Sequence, residues 1–254
     1  MVRIIMHGCN GKMGQTVGSL LAEDNEAKLV AGVDLFDDGH NSYPVYKSLE
    51  ECRVEADCLV DFSTAAALEG MLDYCVERGL PCVLCTTGLS AEQLEKVEKA
   101  SESVAILKSA NMSVGINLLL ELLRDAAAVL APAGFDIEIL EKHHNLKLDA
   151  PSGTALALAD SINDELGNEY SYVYDRSARR ERRPEKEIGI SAVRGGTIVG
   201  DHDVIFAGAD EVLTFSHRAY SKAVFGKGAI QAAKFLAGKP AGMYSMKDVI
   251  EGAL

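Results

Sequence analysis

The chain has 254 residues, 48% of them hydrophobic and 25% charged, and a formal net charge of −13. It is long enough for a well-buried core in one large or two modest domains. No apolar run approaches the roughly 18 residues a membrane span needs. So negative a surface repels nucleic acid and acidic membranes, so neither is expected as a partner.

The chain opens on Val2–His7, a short apolar run that reads as a buried strand and not as a signal peptide. A cytoplasmic location is therefore expected, with the six cysteines as reduced thiols. Gly11–Asp24 has helical spacing, with Met13, Val17, Leu20 and Leu21 on one face. Strands are expected over Lys28–Asp34, Cys58–Asp61, Pro81–Cys85 and Val104–Lys108, and helices over Ala65–Arg78 and Ser90–Ser101. This alternation predicts a parallel sheet covered on both faces. Cys82 and Cys85 form a lone C-x-x-C in an apolar run and read as packing; no metal site is expected.

After Asn111 the rhythm changes. Helices are expected over Ser113–Leu130 and Gly153–Leu166, and strands over Phe135–Lys142, Ile188–Val193, Thr197–Phe206 and Glu211–His217. His143 and His144 are expected to open the loop after the first of these strands. Arg194–Thr197 reads as a hairpin turn joining the second strand to the third, since its two glycines supply positive φ. A second domain with a mixed or antiparallel sheet follows. The basic loop Ala178–Lys186 reads as solvated, with closure over a cofactor cleft as the alternative. Lys222–Leu236 returns to a helical pattern, and a last turn begins near Met246.

Two stretches carry chemistry. Gly8, Gly11 and Gly14 stand between a strand and a helix, where a tight turn lets a pyrophosphate rest on backbone N–H groups and the helix dipole. Asp34 ends the next strand and suits a ribose 2′-hydroxyl. That carboxylate repels a 2′-phosphate, and Lys12 in the glycine loop is the one cation expected nearby. NADH is therefore expected as the preferred cofactor, with NADPH admitted through Lys12. Thr86, Thr87 and Ser109–Met112 lie at the carboxyl ends of strands and can line the nicotinamide pocket; for Thr87 and Ser90, capping the helix that follows is the alternative.

The other stretch is Glu138–Asp160, "EILEKHHNLKLDAPSGTALALAD". Adjacent His143 and His144 point opposite ways on an extended backbone, which suits them poorly to one metal. Lys147 adds a compact cation, and Ser152, Gly153 and Thr154 open a helix with unpaired N–H groups. Together they fit an anionic substrate, with an imidazole able to donate a proton at neutral pH.

"EKHHNLKLDAPSGTALALAD" resembles the E-x-H-H-x-x-K-x-D-A-P-S-G-T-A segment of the 4-hydroxy-tetrahydrodipicolinate reductase family. So do "GCNGKMG", "TTG", "SANMSVGIN", "AVRGGTIVGDH", "FSHRAYS" and the carboxy-terminal "FGKGAIQAAKFLAGKPAGMYSMKDVI". The resemblance implies an α/β fold: a Rossmann-like parallel-sheet cofactor domain (1–112 and 222–254) and a smaller α+β domain with a mixed sheet (113–221). That second domain would bind substrate and form a homotetramer. NAD(P)H-dependent reduction of a small cyclic dicarboxylate in lysine biosynthesis is implied. So are His143 as proton donor and Lys147 as a second donor, with His144, Ser152, Gly153 and Thr154 at the substrate. Gly8, Cys9, Asn10, Gly11, Lys12, Met13, Asp34, Cys85, Thr86, Thr87, Ser109, Ala110, Asn111 and Met112 are implied cofactor contacts. Cys85 stands where glycine is usual in the family. Lys222 stands where arginine is common, which keeps the charge and loses the bidentate fork.

Overall fold

In a computed structural model that describes residues 1–37 and 39–252, the apolar run Val2–His7 forms β1 and leads through the glycine loop into α1 (Lys12–Leu21). β2 (Ala27–Val33), the two-residue β3 (Val45–Tyr46) and β4 (Cys58–Asp61) follow. A 3₁₀ turn (Ala65–Ala67) enters α2 (Leu68–Arg78), which ends on left-handed Gly79. Then come β5 (Cys82–Leu84), α3 (Ala91–Ser101) and β6 (Ala105–Lys108). Ser90 starts α3 through a capping box with Gln93, so its side chain serves the helix.

The chain then runs through α4 (Val114–Leu130), β7 (Asp136–His143), α5 (Gly153–Glu165), β8 (Ser171–Val173), β9 (Glu187–Arg194), β10 (Gly200–Ala207) and β11 (Val212–Ala219). It closes with α6 (Ala223–Leu236), β12 (Gly242–Tyr244) and α7 (Met246–Glu251). Two compact units result. One holds Met1–Val114 and the stretch from Lys222; the other holds Gly115–Ser221.

The first unit is built on a seven-stranded sheet in the order β12-β6-β5-β4-β1-β2-β3, with every pairing parallel. Alternate residues feed opposite faces. Ile4, Met6, Val60, Val83 and Leu107 pack with α1 and α6, while Ile5, Leu59, Cys82, Leu84 and Ile106 pack with α2 and α3. Burial on both faces explains why these strands read as unbroken apolar runs. β1 lies between β2 and β4, so the strand order reverses there and the glycine loop sits at the switch point.

The second unit has a five-stranded mixed sheet, β11-β10-β7-β9-β8. α4 and α5 cover one face through Leu119, Leu123, Leu158 and Ile162 against Ile137, Ile139, Ile190 and Phe206. Two expectations need correction. β9 and β10 do not form a hairpin: β9 runs parallel to β7 on one side, and β10 runs antiparallel to it on the other. Neighbouring strands are about 4.8 Å apart, so skipping one means roughly twice that, too wide for a two-residue link. Residues 195–199 span the end of β7 instead, with the Gly195 N–H on the His143 carbonyl at 2.9 Å. His143 is also the last residue of β7 and not a loop residue, because it pairs with Arg194.

The basic loop is exposed except at half-buried Arg183, and salt bridges from it and from Arg176 before it tie it to the sheet. Arg176, Arg179 and Arg183 fold back onto Asp136, Glu138 and Glu187, at 2.6–3.1 Å. Among the described residues, no helix is long and apolar enough to cross a membrane.

Candidate active site

In the first unit the glycine loop has the geometry its composition suggests. Gly8 has φ +81°, and a Cβ there would come within 2.8 Å of the Phe62 carbonyl oxygen. A Cβ on Gly14 would come within 2.2 Å of the Gly8 carbonyl oxygen. Only glycine keeps the turn closed and leaves α1's first N–H groups accessible. Asp34 braces the loop: its carboxylate accepts the Asn10 N–H at 2.9 Å and the Phe36 N–H at 3.3 Å. A cavity of about 480 Å³ is lined by Gly8, Gly11 and Asp34, with His7, Lys47, Ser48, Ser63 and Thr64. These residues fit the adenosine and pyrophosphate end of a dinucleotide.

A second cavity, about 440 Å³, is lined by Met13, Cys85, Thr86, Thr87, Ser109, Ala110, Asn111 and Met112, all expected from sequence. Phe62, Ser63, Lys222 and Phe225 complete it. Of the remaining expected contacts, Cys9 is buried, and a Cβ on Gly32 would come within 2.6 Å of its Sγ, so its side chain is core. Asn10 and Lys12 line neither cavity.

Sequence reasoning missed Asp61, which lies between these cavities at the end of β4 and is 1% exposed. Its carboxylate accepts from Ser63 Oγ at 2.6 Å and Thr86 Oγ1 at 2.7 Å, with His7 Nδ1 at 2.9 Å. Burial raises its pKa, but His7, Ser63 and Thr86 outweigh burial and hold it below the usual carboxylate value. Cys85, the one thiol lining either cavity, is pushed well up by burial and by Asp61. A thiol held protonated is a poor nucleophile, which argues against a cysteine-dependent semialdehyde dehydrogenase.

In the second unit the alternation of β7 turns Ile137, Ile139, Glu141 and His143 inward. Glu141 is fully buried. Its Oε2 lies 2.6 Å from His143 Nδ1 and accepts Arg194 Nη1 at 2.8 Å. Its Oε1 accepts Arg194 Nη2 at 2.7 Å and the Ser152 N–H at 2.9 Å. Stripping a carboxylate of water costs several kcal/mol, and these donors offset it. Burial raises the Glu141 pKa, but Arg194, His143 and the Ser152 N–H bring the net shift below normal, so it stays ionised. An anion can only accept, so His143 carries its proton on Nδ1.

Ser152 caps α5, its Oγ accepting the Ala155 N–H at 3.2 Å. His202 from β10 places Nε2 3.2 Å from the same Oγ and meets the His143 ring edge-on, centroids 5.2 Å apart. Burial, with His143 close by, lowers the His202 pKa to about 4, so it is neutral at physiological pH. His144 is half-buried, and its Nδ1 has no hydrogen-bond partner among the described residues. A Cβ on Gly153 would meet nothing within 4 Å, so the helix start is open. Lys147 is already paired, with Nζ 2.9 Å from Asp149. The cations Lys147 and Arg194 thus each face a carboxylate. Among the described residues, no cluster of three His, Cys, Asp or Glu side chains could hold a metal ion.

A parallel sheet with a dinucleotide cradle, together with an imidazole–lysine–helix-terminus cluster, defines an NAD(P)H-dependent oxidoreductase. The family described as "Dihydrodipicolinate reductase, N-terminus" matches residues 2–112, and "Dihydrodipicolinate reductase, C-terminus" matches residues 115–250. The chain belongs to the dihydrodipicolinate reductase family. It is 53% identical over 251 residues to the 4-hydroxy-tetrahydrodipicolinate reductase of Caldanaerobacter subterraneus subsp. tengcongensis, covering 99% of each chain. Against the Clostridium tetani enzyme of that name it is 49% identical, covering 97% of this chain and 96% of the relative. Among solved structures, the dipicolinate-bound dihydrodipicolinate reductase of Paenisporosarcina sp. TG-14 superposes with a TM-score of 0.81 at 25% identity, covering 98% and 99% of the two chains. A myo-inositol dehydrogenase from Corynebacterium glutamicum, 17% identical with a TM-score of 0.56, shares the fold alone; the match covers 92% of this chain and 87% of that one.

Proposed function

We propose that this chain reduces 4-hydroxy-tetrahydrodipicolinate to tetrahydrodipicolinate in lysine biosynthesis, with the first unit holding NAD(P)H and the second holding the dicarboxylate. Family membership supports the reaction. The observation that carries the residue assignment is the His143 imidazole, fixed by a buried carboxylate beside the open start of α5. After water leaves the 4-hydroxy form a conjugated imine remains, and the reduced nicotinamide, when bound, would supply a hydride to its ring C4. His143 then delivers a proton to C3, and Lys147 steadies the negative charge that hydride transfer builds in the ring. His144 and the Ser152–Thr154 turn hold the carboxylates. Purified enzyme, supplied with pyruvate, aspartate semialdehyde and the upstream synthase, should oxidise NADH. Cofactor binding without turnover would reject the reading in favour of a dinucleotide sensor.

NADH is the preferred cofactor in this reading, because Asp34 repels a 2′-phosphate. Lys47 tempers that repulsion, a cation not evident from sequence. Val33 pairs with Tyr46, so Asp34 and Lys47 leave adjacent strands together and line one cavity. An exposed charge pair contributes up to about 1 kcal/mol, so Lys47→Ala should raise the KM for NADPH roughly two- to fivefold and leave that for NADH unchanged. Equal changes for both cofactors would remove Lys47 from the assignment. A wild-type KM lower for NADPH than for NADH would overturn the preference itself.

A homotetramer formed through the second unit's sheet is supported by Val193, Val212 and Leu213, which are 44%, 61% and 37% exposed. Light scattering should give a particle of four 27.2 kDa chains; a monomer would contradict it. Six unpaired thiols favour a reducing compartment, the cytoplasm, which cell fractionation checks.

A further inference from the structure

The roles above leave Glu141 without a task, although it is fully buried and three residues donate to it. An isolated structural carboxylate at that depth is a poor device for stability, since an apolar side chain of similar volume serves as well. Its partners are the informative part. One oxygen faces the proton donor and the other faces the backbone of the turn that opens α5.

We propose that Glu141 is the positioning residue that couples proton delivery to substrate capture: one carboxylate aims the His143 ring through Nδ1 and, through the Ser152 N–H, sets the anion-binding start of α5. This rests on the reading of His143 as proton donor. With Nδ1 turned to Glu141, the reactive nitrogen is Nε2. Gly200 keeps that edge open, since a Cβ there would stand 3.0 Å from Nε2. His202 braces the arrangement, touching both His143 and Ser152. Arg194 grips both Glu141 oxygens and also donates to the Asp149 carbonyl at 2.6 Å, so it ties the loop carrying Lys147 to the same carboxylate. The charged and titratable groups around His143 are therefore Glu141 on its own strand, Arg194 from β9, His202 from β10, and His144, Lys147 and Asp149 in the following loop.

The test is the pH profile of kcat in two full-length variants whose charges change in opposite senses. Glu141→Gln replaces the carboxylate that faces Nδ1 with a neutral amide. It should lower kcat roughly ten- to a hundredfold, raise KM, and move the alkaline fall-off of kcat to lower pH. Arg194→Met removes a competing cation and should move that fall-off to higher pH. A carboxylate that merely stabilised the fold would lower yield or Tm and leave the fall-off where it was. If Glu141→Gln does not fold, Arg194→Met carries the test alone. A wild-type fall-off in every variant that folds overturns the proposal, whatever its kcat. Failure of the underlying reading shows separately, as a His143→Ala enzyme with wild-type kcat.

Discussion

His143→Ala should lower kcat by about 10²–10⁴-fold and leave KM within a few-fold of wild type. The split follows from where the side chain sits. The residue is 8% exposed and its ring spends Nδ1 on Glu141, so a single edge remains for the substrate. A group of that kind contributes little to holding a dicarboxylate and much to the transition state, where the proton is in flight. The cavity left by alanine is flanked by His202, a poor replacement donor, because burial disfavours its charged form. Added imidazole should restore part of the lost rate. A variant with unchanged kcat and a raised KM would make His143 a binding residue and move the proton source elsewhere.

Lys147→Ala should lower kcat and raise KM together. The ammonium serves the substrate's carboxylates in the ground state and the charge on the ring in the transition state. A hydrogen bond to a charged group is worth about 1.5–3 kcal/mol, which amounts to roughly 10- to 150-fold in kcat/KM. The loss should fall at the upper end, because Asp149 would then lack its partner. At present Lys147 is the largest influence holding the Asp149 pKa below normal. Without Lys147, Asp149 would present an uncompensated negative charge to a dianionic ligand. Adding Asp149→Asn to Lys147→Ala should therefore recover part of the affinity. A double variant no better than the single one would show that Asp149 does not compete for the site.

What could be read from sequence is what lies contiguous in it. The glycine loop, Asp34, the histidine pair, Lys147 and the Ser-Gly-Thr helix start each announce their chemistry through local spacing, and the long strands and helices through periodicity. β3, β8 and β12 went unread because two or three residues cannot display an alternation. Glu141, Arg194 and His202 went unread for another reason: three different strands bring them together, and only the register joins them. One signal was available. Glu141 shares the inward phase of Ile137 and Ile139, and a charge in an apolar phase must have partners. The Gly195-Gly196 turn marks a reversal without saying which strand lies beyond it, so the hairpin was the wrong topology.

The most direct measurement is a crystal structure of the enzyme with pyridine-2,6-dicarboxylate and NADH. The account predicts one carboxylate on the Gly153 and Thr154 N–H groups and Lys147, Asp149 turned away from Lys147, and His143 Nε2 facing the ring. Dicarboxylate bound away from these residues, with the Lys147–Asp149 pair intact, would contradict it.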